Sequence, residues 1–232
     1  MKTLTVIGKG GDAKRLAGFL KCKMNDRKAQ VGIRYGSKHM GHFPVMINAD
    51  KAVAKASNKY YTLELLAGLD IPVPKFSTNS TCLKYPMLGR KFYHRKGRDI
   101  KVIRNSDELR NQQSDYYVEF IPVREEYRVH VVCGKIASIA IKRGGNPDTY
   151  CRNLETGWTF TESTWRWERD CKQMPEIAMK AVKALGLAFG AVDIIISQND
   201  GKPYILEVNT APGLIDRRAE IYANLIRTAL EG

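Results

Sequence analysis

Two apolar segments joined by a short polar turn constrain this chain more than any other feature. Residues 190–198 and 202–209 both have the pattern of buried strands, and the turn between them, 199–201, has the composition of a three-residue hairpin loop ending in glycine. With a loop of this length, Gln198 pairs with Lys202. The same register places Asp193 directly opposite Glu207 on the neighbouring strand.

Two carboxylates that face each other on paired strands repel, unless a cation lies between them. Asn209 shares a face with Glu207, because alternate residues of a strand point the same way. Mg²⁺ prefers oxygen ligands and bridges to substrate phosphates. We therefore take Asp193, Glu207 and Asn209 as candidate magnesium ligands. The alternative is a hairpin with solvated acids, which the otherwise apolar strands disfavour.

These motifs resemble a known family. The segments Ala-Val-Asp193 and Leu206-Glu-Val-Asn-Thr-Ala-Pro-Gly-Leu214 are similar to the metal-binding end of the ATP-grasp superfamily. The closest likeness is to its carboxylate–amine ligases, such as the ribosomal-protein glutamate ligases and the D-alanine–D-alanine ligases. The resemblance covers roughly residues 50–232 and implies that Asp193, Glu207 and Asn209 hold Mg²⁺ on ATP.

The resemblance also implies the fold class, α+β, with an ATP-grasp core of two α+β lobes that clasp ATP. A shortened α/β lobe precedes this core at residues 1–50, where a strand, a glycine turn, a helix over 12–20 and two short strands are predicted. The glycine turn is not a Walker loop, because no Gly-Lys-Ser/Thr follows it. The small ATP-grasp lobe is expected at 51–118, and the C-terminal lobe with the metal site at 119–232.

Two basic residues of the small lobe are expected at the phosphates. Lys59 begins a helix predicted over 58–68, where the family often has a phosphate-facing lysine. Arg90 stands where lysine is usual, and arginine keeps the charge while adding a planar fork of donors. Residues 84–110 carry nine Lys/Arg and three acids, which is also typical of a solvated loop or a nucleic-acid patch.

The next strand, 115–121, resembles the hinge of the family, whose backbone pairs with the adenine edge. Glu119 and Ile121 match that hinge pattern. Glu126 matches the acid that holds the ribose hydroxyls, and Glu125 is a neighbouring alternative.

A second hairpin follows around Cys133-Gly134, and its loop length decides which base lies near the phosphates. A two-residue loop places Arg143 on the face of Glu126 and Arg128, whereas a three-residue loop places Lys142 there. Both remain candidates for the basic phosphate ligand that the family has at this place.

Three further residues are expected at the reacting carboxylate. Arg128 lies in Glu-Tyr-Arg-Val, similar to the family's Asp-Ile-Arg-Val, which implies contact with the transferred phosphate or an acyl-phosphate. Arg152 and Asn153 lie in a segment, 151–157, similar to the glutamate-ligase pattern near the reacting acid.

Two amphipathic helices, Pro175–Phe189 and Asp216–Leu230, are predicted around the metal hairpin. The inward face of the second is Ile221, Leu225 and Ile226, packed behind the hairpin.

Composition bounds the location and the partners. The 38 Lys/Arg against 24 Asp/Glu give a net charge of +14, which favours nucleotide phosphates, nucleic acid or another acidic macromolecule as a partner. No apolar run approaches the ~20 residues that span a membrane, and the first residues have too short an apolar core for a signal peptide. Five widely spaced cysteines without a Cys-x-x-Cys pattern predict a reducing cytoplasm.

The expected reaction joins a small-molecule or peptide carboxylate to an amine. ATP phosphorylates the carboxylate, the amine attacks the acyl-phosphate, and ADP and phosphate leave. Two alternatives remain at this stage. One is an ATP-grasp kinase that stops at the phosphoryl product, and the other is a basic nucleotide- or nucleic-acid-binding module with little turnover.

Overall fold

The computed structural model describes residues 2–37, 41–93, 100–146, 152, 154–163 and 166–232. Its elements in chain order are β1 (Leu4–Gly8), α1 (Gly11–Leu20), β2 (Lys23–Met24), β3 (Val31–Tyr35), β4 (Val45–Ile47), α2 (Asp50–Ser57), α3 (Lys59–Ala67), β5 (Phe76–Ser77), β6 (Met87–Arg90), β7 (Lys101–Ile103), α4 (Ser106–Arg110), β8 (Tyr116–Glu119), β9 (Val123–Val132), β10 (Lys135–Gly144), β11 (Trp158–Glu162), α5 (Arg166–Asp170), α6 (Met174–Ala184), β12 (Phe189–Ser197), β13 (Pro203–Asn209) and α7 (Asp216–Glu231). Short 3₁₀ turns lie at Ser80–Cys82 and Leu154–Thr156.

The first sheet is parallel, with strand order β2-β1-β3-β4. Helix α1 covers it with a buried stripe that includes Leu16 and Leu20, as the apolar spacing predicts. Gly10 precedes the helix with φ 94°, a conformation that glycine adopts without strain. The predicted strands and helix of this lobe are confirmed, and the two-residue strand β2 was not foreseen.

The second sheet is antiparallel, with order β5-β8-β6-β7. Helix α3 covers it through Leu63 and a ring cluster in which Tyr60 contacts Phe92 and Tyr116 edge to face. The side chain of Asn58 caps this helix by accepting a hydrogen bond from the Tyr61 amide at 3.1 Å. The helix before it, α2, was missed, because its short alanine-rich stripe gives only a weak apolar pattern.

The third sheet is antiparallel and larger, with order β11-β10-β9-β12-β13. Helix α6 packs on one face and contributes Ile177, Ala178 and Ala181 to the largest core. This helix ends at Ala184, so the prediction that it continues to Phe189 was wrong. Gly186 takes φ 72° and terminates it, and Phe189 instead begins strand β12.

The other face of the third sheet is divided between α7 and the candidate site. Helix α7 packs mainly on α1 and on strands β9 and β10, not behind the β12–β13 hairpin as predicted. Its buried residues include Tyr222, Ala223 and Ile226, whereas Ile221 and Leu225 are only partly buried. The predicted apolar stripe is therefore displaced around the helix.

The first and third sheets share one hydrophobic core. Val6, Leu16 and Ile33 from the first lobe belong to the same cluster as Phe189 and Tyr222. Tyr35 stacks on Phe189 with ring centroids 5.9 Å apart. The architecture is α+β, and its N-terminal sheet is packed into the body that carries the site.

Candidate active site

The hairpin of β12 and β13 brings the two predicted carboxylates together. Asp193 pairs directly with Glu207, as the sequence predicts. The turn itself is different, because the Ser197 amide donates to the Lys202 carbonyl at 2.9 Å and encloses a four-residue loop, 198–201. A β-bulge at Leu206 offsets the longer loop, so the pairing of the acids survives although the predicted Gln198–Lys202 pairing was wrong.

Arg128 on strand β9 lies directly opposite Asp193 on strand β12. Its Nε and Nη2 donate to the two carboxylate oxygens of Asp193 at 2.6 and 2.7 Å, a bidentate ion pair. Burial alone would lower the pKa of Arg128, but the Asp193 carboxylate outweighs it and raises that pKa above its ordinary value. The guanidinium is therefore a fixed positive charge on the face of the sheet.

On the opposite side of the site, a lysine of helix α3 balances the charge of Glu207. Lys59 at the start of α3 places its Nζ 3.1 Å from the Glu207 carboxylate. The amide of Asn209 donates to Glu207 at 3.0 Å and to Asp193 at 3.3 Å. Desolvation would raise the pKa of Glu207, but Lys59 and Asn209 outweigh it and hold that pKa well below its ordinary value. The Glu207 carboxylate is therefore ionised, and Lys59 balances its charge.

Of the three predicted metal ligands, Asn209 therefore lies within hydrogen-bond distance of both Asp193 and Glu207. Their donor set of two carboxylates and one amide fits Mg²⁺, which is usually bound by one or two carboxylates together with substrate phosphates. Within the described ranges, no group of three or more His, Cys, Asp or Glu side chains is spaced to hold a metal ion. An ion here would depend on the phosphates for its remaining ligands.

Lys142 shares the next row of the sheet with Glu126. The two form a buried ion pair, and the Lys142 ammonium also donates to the carbonyl of Arg152 at 2.5 Å. Burial raises the pKa of Glu126 and nearby Lys142 only partly offsets the rise. Arg143 points to the other face and pairs with Glu125 at 2.5 Å.

This arrangement settles which base shares the face of Glu126. The hairpin has the two-residue loop Cys133-Gly134, which in a regular ladder would place Arg143 on that face. A bulge between Ile136 and Ser138 shifts the register by one residue and brings Lys142 there instead. The sequence allowed both residues because it does not reveal the bulge.

Aromatic side chains of β11 cover these cations. Phe160 lies 4.2 Å from the Arg128 guanidinium carbon and 5.0 Å from Lys142 Nζ, measured to its ring centroid. The Arg152 guanidinium carbon lies 4.4 Å from the Trp158 ring, and its Nη2 donates to the Val123 carbonyl at 3.2 Å. Phe160 was missed in the sequence, where one aromatic residue in a polar strand gives no signal of a role.

The remaining predicted residues lie where the second and third sheets meet. Arg90 ends β6, is buried, and is close enough to Glu207 to help lower the pKa of that acid. Glu119 ends β8 and accepts a hydrogen bond from the Lys75 amide at 3.3 Å, while Ile121 is buried in the connection to β9. Asn153 and the basic loop residues 94–99 lie outside the described residues.

The site combines acids and bases of the third sheet with Lys59 of helix α3 and Arg90 of the second sheet, as in nucleotide-binding enzymes of the ATP-grasp class. Residues 56–230 match the RimK-like ATP-grasp domain family, and the chain belongs to this family. The resemblance seen in the metal motif is therefore confirmed.

The curated relatives are ligases. The tetrahydromethanopterin:alpha-L-glutamate ligase of Methanocaldococcus jannaschii is 24% identical over 217 residues, covering 84% of this chain and 72% of that protein. A probable alpha-L-glutamate ligase of Xanthomonas euvesicatoria is 30% identical over 189 residues, covering 72% of this chain and 61% of its own length. These matches identify the chain as an ATP-dependent ligase that forms carbon–nitrogen bonds.

Solved structures confirm the ATP-grasp fold. The D-alanine–D-alanine ligase of Bacillus anthracis has a TM-score of 0.72 at 16% identity, with 100% of this chain and 97% of that chain covered. A RiPP-associated ATP-grasp ligase of Chryseobacterium gregarium, solved with ADP and a leader and core peptide, has a TM-score of 0.70 at 11% identity over 99% and 97% of the two chains. Across the described part of this protein, none of the helices has the length and apolar character needed to cross a membrane.

Proposed function

We propose that this ligase activates a carboxylate by phosphorylation with ATP and then lets an amine attack the acyl-phosphate. The products are an amide, ADP and phosphate. The observation that carries the proposal is the row Arg128–Asp193–Glu207, which sets a fixed guanidinium beside two carboxyl side chains across three adjacent strands. Such a row offers both a cation site and a donor for developing negative charge.

Phosphoryl transfer depends on positioning and on neutralising charge that spreads over the phosphate oxygens. Lys59, Arg90 and Lys142 are the cations that we assign to the phosphates, because each lies at the acids of the cleft. Asp193, Glu207 and Asn209 would hold Mg²⁺, which when bound supplies further positive charge at the phosphates.

The nucleoside end is assigned to the connection between the second and third sheets. We infer that the backbone at Glu119 and Ile121 pairs with adenine and that Glu126 holds the ribose hydroxyls. The lobes are accordingly taken as 1–50, 51–118 and 119–232, with ATP between the last two. Closure of these two lobes would exclude water from the acyl-phosphate, which otherwise hydrolyses.

Arg128 is the residue that we assign to the reacting carboxylate, together with Arg152 and Asn153. Donors aimed at charge that develops in the transition state account for much of the rate of such reactions. Arg128 suits this role because its Nε and Nη2 are both hydrogen-bonded to Asp193, and the Phe160 ring covers the guanidinium. Its direction is thereby fixed before the substrate binds.

For the substrates, we propose an amino acid of the glutamate type as the amine and a small molecule or peptide as the acid. The relatives named above are glutamate ligases, and one structural neighbour is a ligase solved with a leader and core peptide. The net charge of +14 first suggested nucleic acid, but Lys91, Arg104 and Arg110 of the basic segment are each paired with an acid. The cytoplasm is the proposed location, because free thiols such as those of Cys22 and Cys171 persist there.

Hydroxylamine tests the proposal, because it intercepts an acyl-phosphate to give a hydroxamate and phosphate. Pools of amino acids, small carboxylic acids and peptides are incubated with MgATP and hydroxylamine, and ADP and hydroxamate are measured together. We expect equal amounts of both with the correct acid. ADP release with a stable phosphorylated product and without hydroxamate would replace the ligase mechanism by the kinase alternative.

A further inference from the structure

A second buried arginine lies beside the site and has no role in the reaction described above. Arg218, in the first turn of α7, is only 8% exposed. Its Nε donates to Ser138 Oγ at 2.8 Å and its Nη1 to the Gly213 carbonyl at 3.4 Å, while Nη2 pairs with the Glu162 carboxylate. Two neutral groups therefore fix the guanidinium, and one acid balances its charge.

Glu162, the acidic partner of Arg218, lies in the same row of the third sheet as Arg128. Ala140 pairs with Glu162 on one side and with Arg128 on the other, so the three side chains emerge from the same face. Two strand spacings, about 10 Å, separate Glu162 from Arg128. Ala140, which stands between Glu162 and Arg128, has only a methyl group, so no long side chain of β10 separates the two.

A buried histidine lies beside this row of side chains. His130 follows Arg128 on the same face, pairs with Ser138, and is 1% exposed. Its Nδ1 lies 2.9 Å from the hydroxyl of Tyr222, whereas its Nε2 has no hydrogen-bond partner among the described residues. Burial, Arg218 and Arg128 hold the pKa of His130 well below its ordinary value, so the ring is neutral. If the tyrosine hydroxyl donates to Nδ1, Nε2 carries a hydrogen that lacks an acceptor.

We propose that Arg218 binds the α-carboxylate of the amine substrate, in the position that Glu162 occupies in the free chain. Glu162 can leave at little cost because its side chain is 37% exposed and can return to water, whereas Arg218 stays fixed by Ser138 and Gly213. A substrate carboxylate bound to Arg218 would hold the amine of that substrate near Arg128, where the proposed reaction activates the acyl group. This inference rests on the proposed function and names a specificity-determining residue for it.

The test is a binding measurement with two ligands that differ only at the α-carboxyl group. L-glutamate and L-isoglutamine, its α-carboxamide, are titrated calorimetrically into the protein in the presence of MgADP. We expect L-glutamate to bind at least about tenfold more tightly, since hydrogen bonds between charged groups are among the stronger ones. In Arg218→Gln this preference should fall to within about twofold. Arg217→Gln, the exposed neighbour in the same helical turn, should keep it.

A second variant keeps the test decisive if Arg218→Gln folds poorly. Glu162→Gln removes the internal competitor and should tighten L-glutamate severalfold while leaving L-isoglutamine unchanged. Equal binding of the two ligands to the wild-type protein, a preference that survives in Arg218→Gln, or no binding of either ligand would each overturn the assignment. Hydroxamate formation in the same preparation would show that the ligase mechanism stands even then, and its loss would implicate the proposed function instead.

Discussion

At the scale of single residues, the site balances its charges in pairs. Arg128 pairs with Asp193, Lys59 with Glu207, and Lys142 with Glu126. Breaking a buried pair by removing one partner leaves an uncompensated charge, which is more harmful than removing both. Substitutions in this cluster should therefore affect stability as well as turnover, and each variant needs both measurements.

The metal assignment predicts the behaviour of Glu207→Gln. The amide keeps the shape of the side chain but loses the charge, so Mg²⁺-dependent ADP release should fall to background while circular dichroism shows a folded protein. Asn209→Ala should lose less activity because it removes a neutral ligand. Glu220→Gln, on the exposed side of α7, serves as the control. Wild-type turnover in Glu207→Gln would remove this acid from the metal site.

The role assigned to Arg128 predicts a large loss of turnover with little change in ATP affinity. Arg128→Ala should reduce turnover by roughly a hundredfold to a thousandfold, as for a lost oxyanion donor, while the Kd for ATP changes little. Arg128→Lys should recover only part of the loss, because an ammonium cannot hold both oxygens of Asp193 as the planar fork does. Turnover and ATP affinity are measured on the same samples. A parallel loss of ATP affinity would make Arg128 a nucleotide ligand.

At the scale of the elements, the sequence predicted the pairing of the site but not its irregularities. The opposition of Asp193 and Glu207 was predicted from the hairpin register, and it holds although the turn was predicted one residue too short, because a bulge offsets the difference. The choice between Lys142 and Arg143 could not be made, because the β-bulge at residues 136–138 has no marker such as glycine. A bulge is decided by the packing on both faces of a sheet, and local sequence does not report that packing.

The turn that joins β9 and β10 allows a prediction about stability. Cys133 and Gly134 have φ of 48° and 73°, as a two-residue turn with two left-handed residues requires. Gly134→Ala should lower the free energy of unfolding by about 1–2 kcal/mol, because a Cβ is disfavoured there although no atom lies within 4 Å of it. Gly18→Ala, in the last turn of α1 with equally open space, should instead raise it by about 0.5–1 kcal/mol.

Thermal unfolding of the two alanine variants gives the comparison. Opposite shifts in midpoint, each about 2–4 °C per kcal/mol for a chain of this length, are expected. Equal shifts of the same sign would show that the glycine at 134 is not required by its backbone conformation.

At the scale of the whole molecule, the N-terminal lobe belongs to the catalytic body. Its core is continuous with Phe189 and Tyr222, and its side chains hold the loop 210–215 that follows Asn209. Arg15 donates to the Leu214 carbonyl at 2.9 Å, and the hydroxyl of Tyr35 donates to the carbonyl of Pro212. The sequence predicted the strands and the helix of this lobe but not these contacts, because contacts between residues some 200 positions apart leave no local pattern.

This arrangement predicts that a substitution in the first lobe lowers activity at the distant site. The carboxylate of Asp12 accepts hydrogen bonds from the Leu214 amide and from Arg15, both at 3.2 Å. Asp12→Ala frees the loop that connects Asn209 to Arg218, so kcat/KM for ADP release should fall by about tenfold, since small displacements of reacting groups are costly. The thermal midpoint should change little because Asp12 is partly exposed. Lys14→Ala, exposed on the same helix, should leave kcat/KM unchanged. If Asp12→Ala is as active as Lys14→Ala, the first lobe supports the fold without positioning the loop.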